Sequence, residues 1–140
     1  MSHFEIDATQ HDIFLSLAIN TFLTAGGGRL LFTDGGLAFR AHCSVTPPIL
    51  NGYRPDAIIV RQTQLWLIEV KSFEDLASSH TSKQLANIRN LMIRNEEISL
   101  NLFIFGDRHR NVTVPRELVD LVGSDRLIIN HTPLNVGAAQ

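Results

Sequence analysis

The sequence has only one cysteine, Cys43, and no apolar run of the roughly 20 residues that a transmembrane helix needs. A lone cysteine excludes a disulfide within the chain and a zinc site built from several cysteines. The first residues also lack the basic and apolar segments of a secretory signal. These absences make a cytoplasmic protein with no membrane partner the expectation.

Lysine is also scarce, because the chain has ten arginines and only two lysines, Lys71 and Lys83. Arginine suits bidentate contacts with phosphate, whereas lysine is a compact charge whose pKa its surroundings readily shift. The scarcity therefore suggests a chemical need for lysine at these two positions. The net charge of −2 counts against a protein that holds long nucleic acids by charge alone.

The 140 residues, of which 44% are hydrophobic, suffice for one folded domain over residues 1–140. Hydrophobic periodicity predicts an α/β fold with a mixed central β-sheet flanked by helices. The predicted helices span residues 9–25, with Thr9 as N-cap, 81–95 and 115–122. The predicted strands span residues 29–33, 37–42, 57–60, 65–71, 100–105 and 126–130. We expect a core over about 9–106, a C-terminal helix-strand extension over 107–130 and a loose tail over 131–140.

Three charged side chains lie at the ends of two strands that are otherwise apolar. Asp56 precedes the strand over 57–60, and Glu69 and Lys71 end the strand over 65–71. Residues two apart on a strand share a face, so Glu69 and Lys71 are expected on one side of the sheet. The short polar turn over 61–64 predicts a hairpin, which would place Asp56 beside both of them.

Two carboxylates at such a point repel each other unless a cation such as Mg²⁺ or Mn²⁺ lies between them. The ion, with the backbone carbonyl of Val70 as a further ligand, would polarise a phosphate and acidify a bound water. Lys71 would then orient the water or offset charge that develops on the phosphate. The alternative is an exposed ion pair between Glu69 and Lys71, with Asp56 in a turn.

The helix over 81–95 favours the site interpretation, because its spacing could bring Lys83 and Gln84 back over the charged triplet. Its apolar residues at helical spacing are expected to face the core. These inward residues are Leu85, Ile88, Leu91 and Met92.

Pro55-Asp56 and Glu69-Val70-Lys71 resemble the signature of the PD-(D/E)xK nuclease superfamily. The resemblance covers about residues 9–106 and implies a restriction-endonuclease-like core with the order αβββαβ. It implies metal ligands at Asp56 and Glu69 and a catalytic Lys71. Many members also place a glutamine on the following helix, which makes Gln84 a further catalytic candidate, although the usual Q-x-x-x-Y pattern is only half met.

The resemblance implies a Mg²⁺- or Mn²⁺-dependent nuclease that hydrolyses phosphodiester bonds, with DNA as the preferred substrate. Restriction enzymes, junction resolvases and transposon-end endonucleases are such proteins. Two alternatives stay open: an RNA-cleaving toxin or processing nuclease, and a catalytically weak assembly subunit on the same fold. The small domain favours a homodimer or a larger complex that presents the substrate.

Basic residues outside the triplet are candidates for contact with nucleic acid. Lys83 lies on the helix after the site, and Arg108 and Arg110 lie in a loop after a buried strand.

An additional acidic ligand from the first helix remains open among three residues, although a solvated acid is the expectation for each. These residues are Glu5, Asp7 and Asp12. The histidines of the chain have no partner at a diagnostic spacing, so His11, His80 and His109 are expected at the surface.

Overall fold

A computed structural model describes residues 3–33, 47–106 and 114–133, with only the backbone described for residues 3–9, 132 and 133. The helices in these ranges are α1 (His3–Gly26) and α2 (Ser79–Arg94). The strands are β1 (Arg29–Thr33), β2 (Ala57–Arg61), β3 (Gln64–Ser72), β4 (Ile98–Gly106) and β5 (Leu127–Pro133). Two 3₁₀ segments span Glu74–Ala77 and Arg116–Leu121. Neither α-helix, over its described length, is long and apolar enough to cross a membrane.

The strands form one mixed sheet in the order β1-β2-β3-β4-β5. β1, β2 and β3 pair antiparallel, whereas β3, β4 and β5 pair parallel. The β2–β3 hairpin turns through two residues, Gln62 and Thr63, with Gln62 in the left-handed region at φ 55°. The predicted α/β fold with a mixed sheet flanked by helices is therefore confirmed.

Side chains alternate between the two faces of the sheet, and each face is covered by one helix. On one face, α1 packs Leu15 and Ile19 into a cluster with Trp66, Ile68 and Val70 of β3. On the other face, α2 contributes the inward residues predicted from its spacing, and they pack against β2, β3 and β4. These buried residues are Leu85, Ile88, Leu91 and Met92.

Two arginines hold the carboxyl ends of the helices. The guanidinium of Arg61 donates to the carbonyls of Phe22 and Gly27 and lies 3.7 Å from the centre of the Phe22 ring. Arg126 donates to carbonyls just beyond and within the end of α2, including those of Asn95 at 2.8 Å and Ile98 at 2.6 Å. Part of the arginine content therefore satisfies helix-end carbonyls and is not available to phosphate.

The structure corrects several predicted boundaries. α1 begins at His3, so Thr9 lies inside the helix and is not its N-cap. No proline or glycine in residues 4–8 would stop the helix from extending in that direction. The segment after Pro115 forms a 3₁₀ helix, and β5 continues through residues 131–133, which were expected in a loose tail. The predicted strand over 37–42 and Cys43 lie outside the described residues.

Candidate active site

Asp56 lies directly before β2, opposite Glu69 of β3, because the hairpin pairs Ala57 with Ile68. One carboxylate oxygen of Asp56, Oδ2, accepts a hydrogen bond from the backbone N–H of Val70 at 2.8 Å. The backbone N–H of Asp56 is 3.4 Å from Oε2 of Glu69 and donates to it. The hairpin therefore brings the two predicted carboxylates together.

Glu69 is the most deeply buried charged group in the described part of the chain, with 2% of its side chain exposed. Its Oε1 lies 3.5 Å from Nζ of Lys71, so the two residues share a face as predicted. Burial, and then the charge of Asp56, raise the pKa of Glu69 to about 8, and the nearby Lys71 offsets only part of this rise. A proton or another cation is therefore favoured at this carboxylate near neutral pH.

Lys71 is linked to α2 through Gln84, whose Oε1 accepts a hydrogen bond from the ammonium group. α2 starts at a defined point because the side chain of Ser78 accepts a hydrogen bond from the backbone N–H of Thr81 at 3.1 Å. Gln84 lies on the flank of the helix that faces β3. The predicted contact of this glutamine with the charged triplet is present.

Lys83 does not accompany Gln84 to this point. Neighbouring helix positions differ by about 100°, and the Lys83 side chain is exposed on another flank of α2. There it lines an open cavity of about 600 Å³ between α2 and the 3₁₀ segment Arg116–Leu121. Its role in nucleic-acid binding stays a prediction.

His11 of α1 lies beside the carboxylates, although we expected a surface residue without a partner. Its Nε2 is 3.4 Å from Oδ2 of Asp56, and the side chain is half-buried. The hydrogen bond with Asp56 raises the pKa of His11 against the opposing effect of burial. The helical spacing could have indicated this position, because His11 lies four and seven residues before the buried Leu15 and Ala18 and so shares their face of the helix.

Tyr53 is a second neighbour that the sequence did not predict, because it lies outside every predicted helix and strand. The residue is buried, and its hydroxyl donates a hydrogen bond to Oε2 of Glu69. Burial together with the charge of Glu69 raises the pKa of Tyr53 well above its usual value. The phenol is therefore a hydrogen-bond donor at this site.

The remaining predicted site residues are described only in part. Asp12 is partly buried in the third turn of α1 and not in its first turn, whereas the side chains of Glu5 and Asp7 lie outside the described set. Arg108 and Arg110 lie outside it as well. The Val70 carbonyl stays a predicted ligand.

Within the described residues, no group of three or more histidine, cysteine, aspartate or glutamate side chains could hold a metal ion. Mg²⁺ often takes only one or two carboxylates and completes its shell with water and phosphate oxygens. The Asp56–Glu69 pair has that donor chemistry, and its mutual repulsion is the cost that a cation would remove.

Comparisons of the chain with protein-family models, with curated proteins and with solved structures found no match. The interpretation of the site therefore rests on the geometry of its own residues.

Proposed function

We propose that the chain is a divalent-metal-dependent nuclease that hydrolyses phosphodiester bonds, with DNA as its preferred substrate. The observation that carries the proposal is the meeting of Asp56 and Glu69 beside Lys71 at one end of a hairpin. A structural ion pair does not need a second carboxylate, which adds repulsion in a buried place.

The strand order supports a restriction-endonuclease-like core. A first helix, three antiparallel strands, a second helix and a parallel fourth strand follow one another in the described chain. This order agrees with αβββαβ. We assign β5 and the 3₁₀ segment Arg116–Leu121 to the C-terminal extension.

Asp56 and Glu69 would hold the Mg²⁺ or Mn²⁺ ion, with the Val70 carbonyl as a further oxygen ligand. When bound, the ion supplies Lewis-acid polarisation of the scissile phosphate. The raised pKa of Glu69 supports this assignment, since a carboxylate that burial and Asp56 make costly to ionise gains most from a nearby cation.

Lys71 supplies the positive charge on the protein side of the reaction. Gln84 and Glu69 hold its ammonium group from two directions, which limits the side chain to a small region beside the carboxylates. An ammonium fixed there stabilises negative charge that develops on a phosphate. Gln84 acts by positioning Lys71.

Exposed basic side chains outside the charged triplet would contact the phosphate backbone. Arg54 is exposed two residues before Asp56, and Lys83 is exposed on α2. We include Arg108 and Arg110 in this set from the sequence. Because the net charge of −2 gives little general attraction to a polyanion, a homodimer or a larger complex would help to present the substrate.

The proposal is tested by cleavage of linear duplex DNA, branched DNA, single-stranded DNA and RNA, with Mg²⁺, with Mn²⁺ and with a chelator. Wild type is compared with Glu69→Ala and Lys71→Ala, and Glu117→Ala is the matched control. Glu117 is a carboxylate on the 3₁₀ segment Arg116–Leu121, where it accepts a hydrogen bond from Ser82 at 2.7 Å.

We expect metal-dependent cleavage of DNA that falls by about a hundredfold or more in both site variants and persists in Glu117→Ala. Cleavage of RNA alone would assign the same site to an RNA nuclease. Equal activity in wild type and both site variants would remove the site assignment. No cleavage of any substrate would favour the assembly-subunit alternative.

A further inference from the structure

Tyr53 is the only tyrosine of the chain, and its hydroxyl contacts the most buried carboxylate of the proposed site. A buried phenol needs a partner for its hydroxyl, but a backbone carbonyl would serve that need without affecting the site. Because the partner is Glu69 instead, the hydroxyl of Tyr53 acts directly on a side chain of the proposed site.

A tight turn sets the position of this phenol. Leu50 and Tyr53 form an isolated antiparallel bridge, with the N–H of Tyr53 donating to the carbonyl of Leu50 at 2.9 Å. The two residues between them, Asn51 and Gly52, have φ of 51° and 77°. Asparagine followed by glycine is the pair that such a left-handed turn favours, so the chain reverses sharply just before Tyr53.

The ring of Tyr53 is fixed at its other end by the core. It belongs to the hydrophobic cluster on the α2 face of the sheet, together with Ile58 and Leu67. The phenol therefore has little freedom, and the orientation of its hydroxyl is imposed on Glu69.

The two oxygens of Glu69 consequently have different surroundings. Oε2 accepts from the Tyr53 hydroxyl and from the backbone N–H of Asp56, whereas Oε1 lies beside Nζ of Lys71. We infer that Tyr53 is a positioning residue for the proposed metal site: by holding Oε2 of Glu69, it would leave Oε1 to serve as the metal ligand. This inference rests on the proposed function and adds a residue to it.

Hydrogen-bond partners of a ligating carboxylate typically contribute about 10- to 100-fold to metal affinity. Tyr53→Phe keeps the ring and removes only the donor, so it should weaken the binding of Mn²⁺ by about tenfold or more, as measured by calorimetry. The matched control is Ser82→Ala, which also removes a hydroxyl that donates to a carboxylate, at a point outside the site. We expect that control to bind Mn²⁺ as wild type does.

A second measurement uses the ultraviolet absorption of the wild-type protein. Mg²⁺ should change the near-ultraviolet absorption of Tyr53, because the carboxylate that accepts its hydrogen bond becomes a ligand. The change should be absent in Tyr53→Phe, which separates it from any contribution of Trp66. In cleavage assays, Tyr53→Phe should raise the Mg²⁺ concentration needed for half-maximal rate more than it lowers the maximal rate.

The outcomes separate this inference from the proposed function. If wild type binds Mn²⁺, Glu69→Gln abolishes the binding and Tyr53→Phe leaves it unchanged, the positioning role is wrong and the metal site stands. If wild type does not bind Mn²⁺, both are wrong.

Discussion

The buried carboxylate of Glu69 has a consequence for stability that can be measured without any substrate. The pKa of this group lies near 4.5 when exposed and rises to about 8 in the folded protein, mainly because of burial and then because of Asp56. Between those values the folded protein keeps a proton that the unfolded chain has released. The stability of the metal-free protein should therefore be highest at low pH and fall as the pH rises toward 8.

The size of the effect follows from the two pKa values. Each pH unit in this window costs about 1.4 kcal/mol of unfolding free energy, and the loss levels off above the folded pKa. Between about pH 6 and pH 9, Glu69 should therefore remove roughly 2–3 kcal/mol. Glu69→Gln keeps the shape of the side chain and an oxygen that can accept hydrogen bonds from Tyr53 and Asp56. Because the glutamine cannot ionise, its free energy of unfolding should not fall with pH in this way.

The assay is urea denaturation of both proteins in the presence of a chelator, followed by the fluorescence of Trp66, which is buried against α1. His11 also has a raised pKa, but it is present in both proteins and largely cancels in their difference. The advantage of Glu69→Gln over wild type should grow with pH. An advantage that is the same at pH 6 and pH 9 would refute the reasoning. Added Mg²⁺ should restore the stability of wild type at high pH and leave Glu69→Gln unaffected.

Two further predictions concern the residues that hold α2 and Lys71. Arg126→Ala should lower the free energy of unfolding by roughly 2–3 kcal/mol, since the carbonyls of Met92, Asn95 and Ile98 lose a donor. Arg94→Ala removes one weak bond to a helix carbonyl and should change it little when both are measured by urea denaturation. Gln84→Ala should lower the rate of DNA cleavage by about tenfold at saturating Mg²⁺ with no loss of Mn²⁺ affinity, because it frees Lys71 and leaves both carboxylates in place. Equal losses of rate and affinity would mean that the glutamine supports the whole site.

The sequence predicted those parts of the fold that depend on neighbouring residues. Two apolar runs joined by a short polar turn were sufficient to predict the β2–β3 hairpin, and that hairpin alone brings Asp56 to Glu69. Apolar residues at helical spacing likewise identified the inner face of α2. Both patterns are local, so secondary-structure preferences and alternation of side chains decide them.

The contacts that the sequence did not predict depend on distant segments. Tyr53 reaches Glu69 only because the Asn51-Gly52 turn and the core together direct its ring, and a loop pattern does not reveal that direction. His11 reaches Asp56 only because α1 crosses the face of the sheet at that end. The packing angle of a helix on a sheet depends on all the side chains between them, so the spacing of apolar residues along one helix does not determine it.

The structure gives a physical reason for the choice of lysine at position 71 in an arginine-rich chain. Only 13% of this side chain is exposed, and the described acceptors around its ammonium group are Gln84 and Glu69. A lysine ammonium makes both contacts from a single atom, whereas a guanidinium would bring five donors in a rigid plane. Arginine is used elsewhere, where several carbonyls converge, as at the ends of both helices. Lys71 thus completes the charged site, whereas Arg61 and Arg126 hold the ends of the helices.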